Sequence, residues 1–417
     1  MAAPRNGRYR LAILAPGHFH AALALRRSHP RLDDAVHVYA PEGPEVEAFL
    51  ALVESFNARA EAPTRWRLAT YRGADYLERA LAQRAADVAI LAGRNDGKTA
   101  LIERLHGAGL HVLADKPMLT DGAELDRLRG VLARPPLVME LMTGRHEPAN
   151  RILNAIVRSG EAFGGFAVAG PERAIRLRGT HHLHKLVNGA PLVRPPWYFD
   201  VRVQGEGMVD VTTHMVDQVQ ALTGGGVLEL VEARQWPTTV PRAAFAEITG
   251  LDTFPPELRP AVEGDELALL CNAGLRFLAG GVPVEIESLW DLSQPVGGGD
   301  THYATLRGNR ATLTVADGPE TGHEVRIVAR PIADEPDCAA ALARAVEGLA
   351  RIVPVADGYR IEIADAIRSG HEEHFAMVLD RFLAALDAGR LPDGEVRNCL
   401  AKYTLLSEAK AASHAGG

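Results

Sequence analysis

The stretch His111-Val112-Leu113-Ala114-Asp115-Lys116-Pro117 reads as a short apolar β-strand that runs directly into a charged pair. A strand so short and so apolar belongs to a sheet covered on both faces, and helical patterns on either side make that sheet parallel. Open parallel sheets bind their ligands outside the carboxyl ends of their strands, which is where Asp115 and Lys116 stand. A lysine is costly to hold there as mere packing, and a partly desolvated lysine can move a proton at neutral pH. Taken alone, Asp-Lys-Pro also fits an ordinary surface turn.

Outward from this strand the alternation of strand and helix continues. β-rich runs at 11–15 and 36–40 bracket an Ala/Leu-rich helical segment at 21–27, which makes one crossover unit. Val46, Phe49, Leu50 and Val53 recur at i, i+3, i+4 and i+7, the spacing of an amphipathic helix. Further strands are expected at 67–70, 87–93 and 137–142. The economical interpretation is a doubly wound sheet of about six parallel strands.

Beyond Pro148 the texture changes. A helix over 152–158 leads into β-like runs at 166–169, 175–184, 227–233, 267–271, 284–289, 311–315 and 325–329. Strands with few helices between them predict a mixed or antiparallel sheet. One helix, 208–222, interrupts them and is closed by Gly224-Gly225-Gly226. Residues 237–264, rich in Pro and Gly, look least ordered. The chain ends in two amphipathic helices, one carrying Phe375, Val378, Leu379, Phe382 and Leu386 before Gly389, the other Val396, Cys399, Leu400 and Tyr403. Two domains are expected, 1–147 and 148–417, with both terminal helices in the second.

Composition narrows the class of protein. A chain of 417 residues is long enough for about two or three domains of ordinary size. With 45 Lys+Arg against 53 Asp+Glu the net charge is −8, and no concentrated basic face appears, so nucleic acid is not an expected partner. Cys271, Cys338 and Cys399 are widely spaced and odd in number, which fits buried free thiols in a reducing cytoplasm better than a disulfide framework or a zinc site. The polar, arginine-bearing start and the short apolar run after it fit neither a leader peptide nor a membrane span.

Two more places carry chemistry. The first strand-to-helix turn is Ala15-Pro16-Gly17-His18-Phe19-His20, where a dinucleotide fold places glycines so that backbone N–H groups approach a pyrophosphate. Only the middle glycine of G-x-G-x-x-G is present, and a plain structural turn fits equally well. Glu42, 25 residues after Gly17, is the candidate for the ribose hydroxyls, and a solvated turn glutamate is its alternative. The second place is Gly205-Glu206-Gly207-Met208-Val209-Asp210, followed by His214 and Asp217. Asp210, His214 and Asp217 fall at i, i+4 and i+7, one face of a helix, where a carboxylate one turn from a histidine can fix its tautomer for acid/base work. A solvent-facing charged stripe would show the same spacing.

Together these motifs resemble the Gfo/Idh/MocA oxidoreductases. Asp115-Lys116-Pro117 is similar to that family's Glu-Lys-Pro, and the glycine turn before Asp210-x-x-x-His214 is similar to its second signature. Arg145, Pro148, Ser159-Gly160-Glu161 and Trp197-Tyr198-Phe199-Asp200 follow in the family's order, and the match covers residues 9 to about 223. Within the family the chain looks most like the branch with its own C-terminal domain type. The resemblance implies an α/β fold: an N-terminal Rossmann doubly wound parallel sheet, then a C-terminal α+β domain with a large mixed open sheet.

It also implies roles. NAD or NADP would be held by Gly17, His18, Phe19, His20, Glu42, Gly93, Asn95, Asp115, Lys116 and Pro117, with Gly17 against the pyrophosphate and Lys116-Pro117 a candidate cis peptide. Lys116 would reach the nicotinamide ribose and the reacting hydroxyl, His214 would be the acid/base, and Asp210 would bind substrate and orient His214. Arg145, His182, His184, Lys185, Trp197 and Asp200 are further candidates for substrate contact, His182 and His184 on one face of their strand. Ala15 and His20 replace fingerprint glycines, Asp115 replaces Glu, and Gly93-Arg94-Asn95-Asp96-Gly97-Lys98 differs from the family's Thr-Pro-Asn-x-x-His loop. These departures bear on cofactor affinity and on NAD against NADP. The clusters His181–His184 and His371–His374 lack zinc-ligand spacing, and no metal is expected.

The expected activity is hydride transfer between the nicotinamide and a sugar, polyol or related cyclic hydroxyl compound, in a cytoplasmic homo-oligomer. A redox-neutral glycosidase or epimerase that retains NAD, and a non-catalytic sugar or dinucleotide sensor, are the alternatives.

Overall fold

The computed structural model describes residues 7–170, 172–187, 190–294, 299–332 and 337–415. The arginine-bearing start of the chain lies outside them through residue 6. The chain divides into two compact units, one running through Thr143 and including Ser369–Leu400, the other comprising Gly144–Arg368 and the chain from Ala401.

In the first unit six strands, β1 (Tyr9–Leu14), β2 (Leu32–Ala40), β3 (Arg67–Arg72), β4 (Val88–Leu91), β5 (His111–Asp115) and β6 (Val138–Leu141), form one sheet in the order β3-β2-β1-β4-β5-β6. All pairings are parallel. The helices α1 (His20–Leu23), α2 (Pro44–Ala58), α3 (Tyr76–Gln83), α4 (Lys98–Gly107) and α5 (Leu125–Leu132) are the crossovers. β4, β5 and β6 are buried throughout, which is why they read as unbroken apolar runs. Pro44 opens α2, and Val46, Phe49, Val53 and Phe56 form its buried face. α1 is shorter than expected: Leu25 and Arg26 donate instead to Ala22 and Leu23, three residues back, so the segment tightens into successive turns.

The second unit opens with α6 (Pro148–Arg158) and builds β7 (Ile175–His184), β8 (Leu186–Val187), β9 (Ala190–Pro191), β10 (Leu228–Pro241), β11 (Val262–Glu263), β12 (Glu266–Ala279), β13 (Val282–Ser293), β14 (Thr301–Arg307), β15 (Ala311–Asp317), β16 (Arg326–Pro331), β17 (Ala350–Val355) and β18 (Gly358–Ile363). Apart from the small β8–β9 pair these form a ten-stranded sheet, β10-β12-β13-β7-β14-β15-β16-β18-β17 with β11 beside β12. It is mixed, because β13 pairs with β7 in parallel and the other pairings are antiparallel. Its helices are α7 (Val201–Gln204), α8 (Thr212–Thr223), α9 (Arg242–Thr249) and α10 (Cys338–Ala345). One face of the sheet is apolar, with Ile175, Leu177, Val284, Ile286 and Leu306 in a core shared with Met215, Val216 and Val219 of α8. Its other face carries cross-strand ion pairs, Arg276 to Glu232 at 2.8 Å and to Glu285 at 3.2 Å, and Arg234 to Glu287 at 2.8 Å.

Several expectations need correction. Residues 166–169 form only a single bridge, Phe166 to Gly308, after two glycines at positive φ. Residues 237–264 are ordered: β10 pairs with β12 up to Pro241, which then opens α9, and Gly250 at φ 76° closes that helix. The helix expected from 208 begins at Thr212, the residues before it forming turns.

The terminal helices also divide differently. α11 (His371–Ala388) belongs to the first unit, where Phe375, Val378, Leu379, Phe382 and Leu386 share a core with Leu11, Ile13, Leu25, Leu113 and Met139. An apolar stripe on a helix is buried wherever a complementary face is open, and sequence position does not decide that. α12 (Glu395–Ala415) passes from the first unit to the second at Ala401. Among the described residues no helix is long and apolar enough to cross a membrane.

Candidate active site

In the first unit the sheet order reverses between β1 and β4, and the crevice at such a switch point is where doubly wound folds bind ligands. The turns leaving these two strands lie backbone against backbone. Ala15 takes a φ of 43°, and the N–H groups of Gly17 and His18 each donate to Ala92 O at 3.1 Å. A Cβ on Gly93 would sit 2.4 Å from Ala15 O, so only glycine fits there. Gly17 and His18 thus lie at the predicted edge, but their amides already serve the fold. Glu42 is exposed just past the end of β2.

The charged pair after β5 is held from several sides. His20 Nδ1 lies 2.7 Å from Asp115 Oδ2, and Lys116 N–H donates to Asp115 Oδ1 at 2.9 Å. Lys98 Nζ donates to Asp115 O at 3.0 Å and to Asn95 Oδ1. Asn95, Lys98 and Asp115 are buried. Burial alone would raise the Asp115 carboxyl, but His20 and then Lys98 hold it far below the usual carboxylate range. Burial holds His20 below the ordinary histidine value against the pull of Asp115. An uncharged imidazole facing a carboxylate must carry its proton on Nδ1. His20, Lys98 and Asp115, which replace the family's Gly, His and Glu, are therefore members of one bonded network. The Lys116–Pro117 peptide is cis, as the resemblance implied.

In the second unit the glycine turn is fixed to the sheet. Gly205 has φ 100°, Gly207 N–H donates to Leu270 O at 3.0 Å, and a Cβ on Gly207 would lie 2.3 Å from Cys271 O. Glu206 accepts from Gln235 Nε2 at 2.9 Å, lies 2.9 Å from His414 Nε2, and pairs with Lys410 at 3.3 Å. This turn delivers buried Asp210 to a pocket that Tyr198, Cys271 and Trp290 also line. His214, on the first turn of α8, is half-buried.

Asp217 is no solvent-facing stripe member. Arg145 grips it at 2.6 and 2.8 Å, and Lys402, itself 1% exposed, lies at 3.3 Å. Burial would raise the Asp217 carboxyl, but Lys402 and then Arg145 hold it well below its usual range. Arg145 is thus engaged with Asp217. Asp200 caps α7 through Arg202 N–H and receives both Arg202 Nε and Nη2, at 2.9 and 2.7 Å, and half-buried Trp197 packs on the neighbouring apolar cluster.

The histidine strand departs from simple alternation, because adjacent His182 and Leu183 are both buried. His182 Nδ1 and Lys185 Nζ meet on Asp300, at 3.2 and 2.5 Å, whereas His184 lies 3.9 Å from Glu247. Sequence reading passed over Trp290, Asp300 and Lys402, and gave Lys98 and Arg194 a place in motifs but no role in the site. Trp290 continues the inward series Ile286, Ser288, and a strand read one residue further would have included it. Lys402 interrupts the apolar pattern of α12 beside Tyr403, which is the signal it offered.

A parallel sheet with a switch-point crevice, joined to a unit with a large mixed sheet, defines a two-part NAD-binding oxidoreductase. Residues 14–138 match the family described as "Oxidoreductase family, NAD-binding Rossmann fold", and residues 154–414 match "Putative oxidoreductase C terminal domain". The chain belongs to the Gfo/Idh/MocA oxidoreductase family, in the branch with that C-terminal domain. It is similar to a crystal structure titled as a "putative oxidoreductase" from Parabacteroides merdae, at 35% identity and a TM-score of 0.93 over 99% of this chain and 98% of that one. Levoglucosan dehydrogenase in complex with NADH and levoglucosan shares the fold, at 14% identity and a TM-score of 0.66 over 98% of both chains. So does GenD2 from gentamicin A biosynthesis in complex with NAD, at 13% identity and a TM-score of 0.61 over 100% of this chain and 98% of that one. No curated protein matches the chain.

Proposed function

We propose that the chain is an NAD(P)-dependent dehydrogenase that oxidises a CH–OH group of a sugar, polyol or related cyclic hydroxyl compound. The observation that carries this reading is the anchoring of Lys116 at the carboxyl edge of β5 by Asp115, with His20 and Lys98 behind it. The crevice fits a dinucleotide: Gly93 clears the approach between the two turns, and Glu42 is exposed at the end of β2 for ribose hydroxyls. Phe19, at 37% exposure, adds an apolar surface beside it. A nicotinamide dinucleotide, when bound, supplies the hydride acceptor.

This chain's residues manage the rest. Lys116 Nζ polarises the reacting hydroxyl oxygen, His214 accepts its proton, and Asp210 holds a neighbouring hydroxyl. The ion-paired face of the large sheet supports packing of a second copy there, as a homo-oligomer.

The test is to identify the dinucleotide that co-purifies with the protein and to screen sugars and polyols for NAD⁺ or NADP⁺ reduction. Reduction by an uncharged polyol is the expected result. Product formation without any net change in nicotinamide redox state would replace it with the redox-neutral reading.

A further inference from the structure

Three potential metal ligands meet in the first unit. His18 stands on the turn after β1, His20 opens α1, and Asp115 ends β5, 95 residues beyond His20. One ring nitrogen from each imidazole and one Asp115 oxygen all lie within 4.8 Å of one another. The two imidazoles meet edge to face with ring centroids 3.8 Å apart, and His20 Nδ1 lies 2.7 Å from Asp115 Oδ2.

The groups are prepared for a cation. Asp115 is buried yet ionised, and among the described residues its carboxylate bonds to His20 through Oδ2 and to the Lys116 N–H through Oδ1. Lys98 turns its ammonium to Asn95 Oδ1 and to the Asp115 carbonyl instead. Burial keeps His20 uncharged, and neutral imidazole is the form that ligates metal. The turn's backbone is fixed by the His18 N–H, which donates to Ala92 O at 3.1 Å. Phe19 stacks on His18 at 4.4 Å and Phe375 of α11 packs on His20 at 4.4 Å, so apolar neighbours brace both rings.

We propose that His18, His20 and Asp115 form a binding site for one divalent transition-metal ion of the zinc class at the carboxyl edge of the first sheet. The proton on His20 Nδ1 passes to solvent as the ion takes its place against Asp115 Oδ2. To flank an ion at ordinary bond lengths these two atoms separate by about half an ångström. Oδ1 keeps the Lys116 N–H. Two imidazoles and a carboxylate suit zinc, cobalt(II) or nickel(II), whereas magnesium and calcium take oxygen donors. Three protein ligands leave a fourth position for water or for an oxygen of a molecule in the crevice. The site does not depend on the dehydrogenase reading.

The full chain, stripped with EDTA and dialysed, is titrated with Co²⁺ by visible absorption and with Zn²⁺ by calorimetry. One ion per chain is expected at micromolar affinity or tighter, with the spectrum of four-coordinate cobalt and about one proton released per ion, counted in buffers of different ionisation enthalpy. Mg²⁺ is expected not to compete. His18→Gln and His20→Gln should each weaken Zn²⁺ about tenfold or more, and His371→Gln, at an exposed histidine of α11 near His20, by less than about twofold. Anomalous diffraction at the zinc edge from soaked crystals of the parent locates the ion without any variant. Absence of one-to-one binding, competition by Mg²⁺, parent affinity in both His18→Gln and His20→Gln, loss of binding in His371→Gln, or an ion located away from His18, His20 and Asp115 would overturn the site.

Discussion

Lys116 is the residue on which the proposed chemistry turns. Lys116→Ala removes the ammonium but keeps the backbone N–H that Asp115 holds. Turnover should therefore fall about a hundredfold or more, the usual range for a lost acid/base partner, while NADH binding by fluorescence stays near the parent value. Unchanged turnover would end its assignment. His181 makes a second prediction, on pH. Its folded value of about 3 lies below the 6.5 of a free histidine, so between those values the unfolded chain binds a proton that the folded chain does not. Stability is therefore full above about pH 6.5 and falls as pH drops, by up to about 1.4 kcal/mol per unit. Thermal melts from pH 7 to pH 4.5 should show that decline in the parent and a shallower one in His181→Asn.

The Arg145–Asp217–Lys402 group is a device at the scale of elements, joining α8 to α12 and to the segment before α6. Asp217→Asn takes the carboxylate away from buried Lys402 and half-buried Arg145, and a broken buried pair typically costs about 3–5 kcal/mol. Urea denaturation should register that loss, and adding Lys402→Met should recover part of it. If Asp217→Asn unfolded like the parent, the group would be incidental. At this scale the sequence was readable where burial is simple. β4, β5 and β6 are covered on both faces and appear as apolar runs, and the apolar stripe of α11 marks its helix up to Gly389. β14, β17 and β18 were missed because Thr, Tyr and Arg occupy their partly exposed positions and no clean alternation survives. The candidates Lys116, Asp210 and His214 were legible for different reasons, Lys116 by its place at the end of an apolar strand, Asp210 and His214 by their spacing. Trp290, Asp300 and Lys402 were not, since strand register and helix packing bring them to their partners and spacing along the chain carries neither.

For the molecule as a whole, the discontinuous first unit is decisive. Residues 1–143 expressed alone should be insoluble or molten, with Leu11, Ile13 and Met139 uncovered, and fusing 369–400 to them should restore a cooperative melt. A stable 1–143 fragment would show that α11 is dispensable. The open sheet face bears on assembly in a similar way. Its pairs Arg276–Glu285 and Arg234–Glu287 predict that a dimer formed there weakens with salt, which light scattering at low and high ionic strength would reveal as a fall in mass. A mass that is that of one chain throughout would argue against the interface.

The position of α11 also sets a schedule for synthesis. Translation is vectorial, so the nucleotide unit's own strands leave the ribosome long before the helix that covers them. At about 5–20 residues per second the interval from residue 143 to residue 388 lasts on the order of tens of seconds. During that time the apolar groove for Phe375 and Phe382 is bare, and the nascent chain is a substrate for chaperones that shield such surfaces. The first unit to be begun thus stays open until residue 400, after nearly all of the second has been made.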